Sequence, residues 1–396
     1  MNICLVSREY PPETGWGGIG TYTYNLAHAL TELGHEVHVI AQAAGATRDY
    51  ADGIVHVHRI KPMKISVPFI GGALRNLVYS FQVYKEIKSL DYEFDIVETP
   101  NWTSESFCCS IFLSNKIPIV VRIHTPYFEV FEMYNRQMKI NDKLICKAEE
   151  FSVKKAECVT SSTLGNIKLI SQNYNLHSQK IKIVPLGINT HAADRSRLDG
   201  HTVLFIGRLE KRKGIETLIK AIPNVLKQIP DAEFIIIGRD TNTAEAGRSY
   251  LKYLKQFIKP SFVDKIKFMG NVPDEELPNY YKSCSVFVAP SLYESFGLIY
   301  IEGMAWGIPV IGCVVGGVPE VVENGKTGLL VPPEDPKALA AAMIKLLKDE
   351  FLRKKIGEAA RECVERKFSR EMMARNTLKI YEQVINEWKN KKNRMH

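Results

Sequence analysis

Residues 289–332 read APSLYESFGLIYIEGMAWGIPVIGCVVGGVPEVVENGKTGLLVP. The apolar run CSVFVAPS leading into this stretch is a strand, SFGL opens a helix, and IPVIGCV and TGLLVP return as strands. Glycine and proline mark each change of period. Strands that alternate with a helical pattern are the unit of a parallel sheet with crossovers on its faces. Ligands of such sheets sit beyond the carboxyl ends of the strands, so the loops after strands are where chemistry is sought. Glu294 lies in such a loop and Glu302 in the helix behind it. On one continuous helix the two would point about 80° apart, at 3.6 residues per turn. With Glu294 in the loop and Glu302 in the first turns, both can face one ligand. A glutamate there suits the two hydroxyls of a ribose. The amides of Phe296, Gly297 and Leu298, at the helix start, suit a phosphate. Gly316 and Gly317, with Pro319 and Glu320, form another tight loop after a strand.

Toward the N-terminus, HTVLFIGRL (201–209), AEFIIIG and KIKFMGN read as further strands. The segment GRLEKRKG places Arg208, Lys211, Arg212 and Lys213 between a strand and the helix ETLIKAIPNVLKQI. Four cations in that position need an anion or open water. Arginine offers a planar fork and lysine a mobile point charge, which together match a diphosphate. Arg208 and Lys213 are assigned to the anion, Lys211 and Arg212 to solvent.

The same grammar fills residues 2–187. NICLVS, HEVHVIAQ, FDIVET (94–99), IPIVVRIH (117–124), ECVTSS and IKIVPLG are strands, and GTYTYNLAHALTEL is a helix closed by Gly34. The fold class is therefore α/β: two doubly wound, Rossmann-like parallel-sheet domains facing a cleft, joined near residues 188–200. The stretch from about 334 onward is helical. His124 ends its strand and is followed by Thr125 and Pro126, which places it at a strand's carboxyl end, while the other nine histidines mostly sit within strand or helix patterns or polar loops. Gly15, Gly17 and Gly20 match the spacing GxGxxG, but Arg8–Thr14, with two prolines, separate them from the strand. The second strand also ends without an acidic residue to hold a ribose, which argues against a nicotinamide cofactor. The loop still opens a helix, where amides favour an anion.

The chain has 396 residues, 45% of them hydrophobic, ample for two such cores. No apolar run reaches the roughly 20 residues of a membrane-spanning helix, and MNICLVSREYPPE reads as a first strand, not a signal peptide. Eight cysteines without paired CxxC spacing predict neither a disulfide framework nor a zinc site, and point to a reducing cytoplasm. The net charge of +8 is uneven: residues 1–190 hold 19 basic and 18 acidic side chains, the remainder 33 and 26. That surplus suits an anionic ligand or surface. It lacks the aromatic interleaving of a single-strand binder, so no nucleic-acid partner is expected.

Taken together, these residues resemble the family-4 retaining glycosyltransferases of the GT-B fold, along nearly the whole chain: the GGIG loop, IHTP, PLGIN, GRLEKRKG, YESFGLIYIEGMAWGIPVI and GGVPEVVENGKTGLLV. The resemblance implies transfer of a hexosyl residue from a nucleotide-diphosphate sugar to a hydroxyl acceptor, with no cofactor and no metal at the diphosphate. It implies an acceptor-side domain over residues 1–190, a donor-binding domain over 191–372, and a final helix and basic tail over 373–396 that crosses back to the first domain. By the same likeness Arg208 and Lys213 hold the diphosphate, Glu302 the ribose, and Glu294 the donor sugar. His124 lies near the reacting carbon, Gly17 and Gly18 close on the phosphate, and Val272 contacts the base. A UDP-sugar is favoured slightly over a GDP-sugar. Residues 61–90, which mix apolar bulk with lysines, and the basic tail are candidates for contact with an anionic membrane or a lipid-linked acceptor. The other readings are a sugar-nucleotide epimerase or phosphorylase on the same scaffold and an inactive nucleotide-sugar-binding protein.

Overall fold

The computed structural model describes residues 1–394 except 16, 135, 177–179 and 191–199. Most of the expected joint at 188–200 therefore lies outside the described residues. The chain divides into two compact units, Met1–Asn189 with Ser369–His396, and Thr190–Phe368.

The first unit is built on eight strands: β1 (Asn2–Ser7), β2 (Glu36–Gln42), β3 (Arg48–Asp52), β4 (Val55–Ile60), β5 (Ile96–Pro100), β6 (Ile119–Ile123), β7 (Cys158–Ser161) and β8 (Ile181–Ile183). They lie in the order β3-β4-β2-β1-β5-β6-β7-β8. β5 and β6 are buried throughout and β1 from Ile3 onward, as a sheet covered on both faces requires. The helix Gly18–Glu32 follows β1 and ends as expected, with Gly34 at φ +85° donating its N–H to the Thr31 carbonyl at 2.9 Å. The last helix, Arg370–Asn393, begins three residues before the expected 373 and belongs to this first unit. Ser369 caps it by accepting the Met372 N–H at 3.2 Å, and the Asn25 amide donates to the Gly187 carbonyl beside it.

One element of this sheet departs from the sequence reading, which places no strand between residues 42 and 94. β3 and β4 form a hairpin closed by Gly53 and Ile54, with Gly53 at φ +61°, so β3 runs antiparallel at the sheet's edge. An Asp-Gly step between alternating segments is the local reason for the turn.

The second unit holds β9 (Thr202–Ile206), β10 (Glu233–Ile237), β11 (Ile266–Gly270), β12 (Val286–Ala289), β13 (Val310–Cys313) and β14 (Gly328–Val331). Every pairing is parallel, in the order β11-β10-β9-β12-β13-β14. The chain runs outward from β9 through β10 to β11, then returns to start the other half at β12. The switch point, where strand order reverses, lies between β9 and β12. The helix Ile215–Leu226 packs Ile215, Leu218, Ile219 and Ile222 into the core at helical spacing. Among the described residues no helix is long and apolar enough to cross a membrane.

Ile219→Ala, which empties a fully buried site in that core, should destabilise the second unit by about 2–5 kcal/mol. Urea denaturation followed by a probe in that unit measures it; a loss under about 1 kcal/mol would mean the site collapses around the smaller side chain.

Candidate active site

In the second unit the loops after β9, β12 and β13 converge on one carboxylate. Glu294, 9% exposed, accepts from Lys213 Nζ at 2.6 Å and from Ser291 Oγ at 2.9 Å, both on Oε1, while Arg212 Nη1 lies 3.8 Å from Oε2. Burial pushes its carboxyl up, but the charges of Lys213 and Arg212 and the two hydrogen bonds outweigh that. It is held below the usual glutamate range and stays ionised. The backbone joins the same knot. The Gly317 N–H donates to the Glu294 carbonyl at 2.9 Å, and a Cβ on Gly316 would sit 2.1 Å from that oxygen. Gly214, at φ +65°, turns the chain from Lys213 into the following helix against the Pro290 carbonyl, where a Cβ would come within 1.7 Å. The glycines at 214 and 316 are thus required by close approach as well as by turning.

The cations divide differently from the sequence expectation. Arg212, assigned there to solvent, is half-buried, bonded to Glu210 Oε1 at 3.1 Å and to the Tyr293 carbonyl at 3.4 Å. Arg208 shares the same Glu210 oxygen at 3.1 Å but leaves half its side chain exposed, and Lys211 is exposed. Glu210, only 5% exposed, was not singled out. It aligns both arginines, and its place as the lone acid among the cations of RLEKRK was the available sign.

Glu302 is half-buried in the helix Leu298–Ala305 and accepts from the Tyr281 hydroxyl at 3.3 Å. Burial raises its carboxyl above the usual value, with Asp274 adding to the rise and Tyr281 and Lys213 opposing it. Lys213 therefore lies within electrostatic reach of both glutamates. Gly297, at φ +92°, sets the first turn of the helix, no side chain caps that end, and Leu298 is its first residue. The Phe296 side chain points into the core against Phe368, so only its backbone is available to a ligand. Val272 lies past β11, the edge strand two places from β9.

In the first unit His124 follows β6. Its N–H donates to Asn101 Oδ1 at 2.9 Å, its carbonyl accepts from Asn166 Nδ2 at 3.1 Å, and its ring meets Tyr22 edge-on at 5.1 Å. Burial and the neighbouring Arg122 charge lower its pKa to about 3, so the imidazole is neutral at physiological pH. Behind it lies a buried polar group that the sequence reading missed. The Tyr22 hydroxyl donates to Glu98 Oε1 at 2.6 Å, and the Arg122 guanidinium sits over the Tyr22 ring and donates to the Val184 carbonyl at 2.7 Å. Tyr381 of the last helix packs, fully buried, within electrostatic reach of the same Glu98 carboxyl. A cavity of about 10 Å³, room for one water, is lined by Tyr22, Glu98, Arg122 and His124. The charged residues inside the apolar strands IVETP and IVVRI were the sign that could have found it. Gly17 precedes and Gly18 begins the helix after β1, but the Glu9 carboxylate already occupies this turn: a Cβ on Gly17 would lie 2.2 Å from Glu9 Oε2.

The family model described as "Glycosyltransferase Family 4" matches residues 16–192, and "Glycosyl transferases group 1" matches residues 189–363. The chain belongs to glycosyltransferase family 4. It is similar to the phosphatidyl-myo-inositol mannosyltransferase of Mycolicibacterium smegmatis, at 27% identity over 96% of this chain and 93% of that protein. Its fold matches sucrose-phosphate synthase of Thermosynechococcus elongatus, with TM-score 0.78, 24% identity, and 98% and 99% of the two chains covered. It also matches Anabaena HepE, solved with UDP and glucose, with TM-score 0.72, 20% identity, and 96% and 99% covered. These neighbours have the GT-B fold, and the two parallel-sheet units here share it.

For a glycosyltransferase this arrangement does something specific before any donor arrives: it fixes Lys213 by an ionised partner instead of leaving it to sample solvent. Lys213→Ala should therefore destabilise the enzyme by about 3 kcal/mol, because it leaves a buried carboxylate without its main partner. Adding Glu294→Gln should restore part of the loss, and a double-mutant cycle by urea denaturation reads the coupling. Strict additivity would mean the pair is not a structural unit.

The neutral state of His124 is separately testable. Its folded pKa is depressed from the usual 6.5 to about 3, so the unfolded chain binds the extra proton first. Its contribution to stability is then undiminished above about pH 6.5 and falls as the pH drops from there toward 3. The His124 ring resonance should stay unshifted between pH 5 and 8 in an NMR titration, and a midpoint near 6.5 would refute the assignment.

Proposed function

We propose that this enzyme transfers a hexosyl residue from a nucleotide-diphosphate sugar to a hydroxyl acceptor with retention of anomeric configuration. The observation that carries the reading is the Lys213–Glu294 contact of 2.6 Å at the switch point, with Arg208 and Arg212 aligned beside it by Glu210. Charge develops on the departing diphosphate as the glycosidic bond breaks, and cations already in place stabilise it without reorganisation. Lys213 and Arg208 hold the diphosphate, with the Gly297–Leu298 helix start as a further donor of positive potential. A metal is then unnecessary at that position. Glu302 binds the ribose and Glu294 faces the donor sugar. His124, neutral, serves as a hydrogen-bonding group beside the reacting carbon and not as a base.

Retention through a covalent intermediate would need a carboxylate nucleophile beneath the sugar. Glu294 is engaged by Lys213 and Ser291, and Glu302 by Tyr281, which favours attack by the acceptor on the same face as the leaving phosphate. A UDP-sugar is favoured over a GDP-sugar, in keeping with the UDP found in HepE. An apolar groove of about 230 Å³, lined by Ile70, Leu74, Leu77, Phe107 and Leu144, with Phe69 91% exposed nearby in the chain, suits a lipid-linked acceptor at the cytoplasmic face of an anionic membrane. The acceptor of the mycobacterial relative, a phosphatidyl-myo-inositol by its name, is of that class.

Thermal-shift binding to UDP, GDP, ADP and their hexose conjugates, with and without EDTA, tests the donor site. A ligand that binds only the native state raises the melting temperature by mass action. One nucleotide family should give a shift that EDTA leaves intact. Lys213→Ala, compared with its own ligand-free form, should weaken binding roughly 10- to 100-fold, the loss of one charge-assisted phosphate contact. Glu302→Gln should weaken nucleotide binding too, whereas Glu294→Gln should act mainly on turnover. A shift abolished by EDTA, or unaffected by Lys213→Ala, would overturn the metal-free site.

A further inference from the structure

At the amino ends of β2 and β4, away from every residue assigned to transfer, three histidines meet the carboxylates of Glu36, Asp49 and Glu86. Side chains alternate along a strand, so Glu36 and His38 share one face of β2. His38 is the register partner of His56 on β4, and His58 follows on the same face. The rings are in contact: His38 stacks on His56 at 4.7 Å, and His38 Nδ1 lies 2.9 Å from His58 Nε2. His58 Nδ1 in turn lies 3.1 Å from Asp49 Oδ1 on β3.

The direction of this chain follows from its outer end. Asp49 is largely exposed, with two-thirds of its side chain in solvent, and as a carboxylate it only accepts. His58 Nδ1 therefore carries the proton that points to it. With Nδ1 as its donor, His58 accepts from His38 Nδ1 through Nε2, and His38 Nε2 is left with a bare lone pair. That nitrogen belongs to a residue with no exposed surface, makes no hydrogen bond, and lies 3.5 Å from the Glu36 carboxylate. A bare lone pair 3.5 Å from an anion in a buried place is unfavourable unless a cation serves both.

We propose that Glu36, His38 and His56 bind a divalent transition-metal ion of the zinc and cobalt class. One ligand atom from each lies within 4.8 Å of the others, and Glu36 and His56 reach solvent and can rotate inward. Two imidazoles and a carboxylate are the donor set such ions take, with a water completing the shell. The His38–His58–Asp49 chain is the outer-shell support that ligating histidines characteristically have, a ring N–H donated onward toward a carboxylate. A second grouping, Asp49, His58 and Glu86, is less suited, because its imidazole nitrogen already donates its proton to Asp49. Spacing along the chain concealed the site, since β2 and β4 bring the residues together only across the sheet. It tethers the β3–β4 hairpin to β2 and takes no part in the transfer reaction.

The full-length chain, stripped with chelator and then dialysed, should be titrated with Co(II) by absorption spectroscopy and with Zn(II) by calorimetry. One equivalent should bind, with Co(II) d–d absorption. His56→Ala and Glu36→Gln, both at the surface and tolerable to the fold, should each weaken binding at least roughly 10-fold, the lower bound for losing even an outer-shell partner. Glu86→Gln and the distant His201→Ala should bind like the parent. If the parent binds no Co(II) in stoichiometric excess, the site is refuted. Equal binding by the parent and His56→Ala refutes it as well. Donor-induced thermal shifts are read in the same samples and are independent of either result.

Discussion

Glu294 is the point on which the loops after β9, β12 and β13 depend. A single carboxylate orders three loops that are far apart in sequence: it takes the Lys213 ammonium and the Ser291 hydroxyl through its side chain, and Gly317 through its carbonyl. Isolated burial of such a group would be expensive. Here the cost is offset by two cations and a hydroxyl, and that pairing keeps the carboxylate ionised. The glycines at 214 and 316 follow from this packing, since any side chain at either would strike the backbone that carries Glu294 or its neighbour Pro290. GRLEKRKG, YESFG and GGVPE are therefore one physical object and not three motifs.

The first unit uses buried charge to the opposite end. Glu98 and Arg122 stand inside apolar strands with Tyr22 between them, and the Arg122 charge helps keep His124 neutral. The last helix completes that group through Tyr381, which gives the returning C-terminal segment a role at the strand end beyond covering apolar surface. A neutral, oriented imidazole is a hydrogen-bonding group of fixed geometry, and that suits positioning a sugar better than proton abstraction.

The sequence made the two parallel sheets legible because buried parallel strands are continuous apolar runs, and NICLVS, TVLFI and VFVAPS could hardly be anything else. β3 escaped because RDYAD is polar and lies at an edge, where neither face supplies a hydrophobic pattern, whereas the alternation of VHVHRI in β4 was there to be read. The charge run at 208–213 could be placed at a strand end but not divided: which of its cations is anchored depends on Glu210 and Glu294, and Glu294 is 81 residues from Lys213. The glycine loop after β1 showed its fit for an anion, yet nothing in the spacing revealed that Glu9 reaches the same turn. Local patterns report elements; partners across a sheet or between loops become visible only once the elements are packed.

On the proposed reading, the two turns that would receive the donor's diphosphate each already face a carboxylate. Lys213 is held by Glu294, and the Gly17–Gly20 turn faces the Glu9 carboxylate, with the Gly20 N–H 3.4 Å from it. On the proposed reading, a diphosphate approaching Lys213 meets a cation that is already partly neutralised. Its attraction is then smaller than that of a bare ammonium, but so is the reorganisation, because Lys213 needs no rotamer search and Glu294 keeps its hydrogen bond to Ser291 and the Arg212 charge 3.8 Å away. The gain is realised mainly when the leaving group acquires its full charge, which is the moment at which stabilisation raises turnover instead of merely tightening the ground state. A bare lysine in the same loop would bind the intact donor more strongly and release the nucleotide more slowly. The Glu294 pairing thus favours a site tuned to the departing diphosphate over one tuned to the donor at rest.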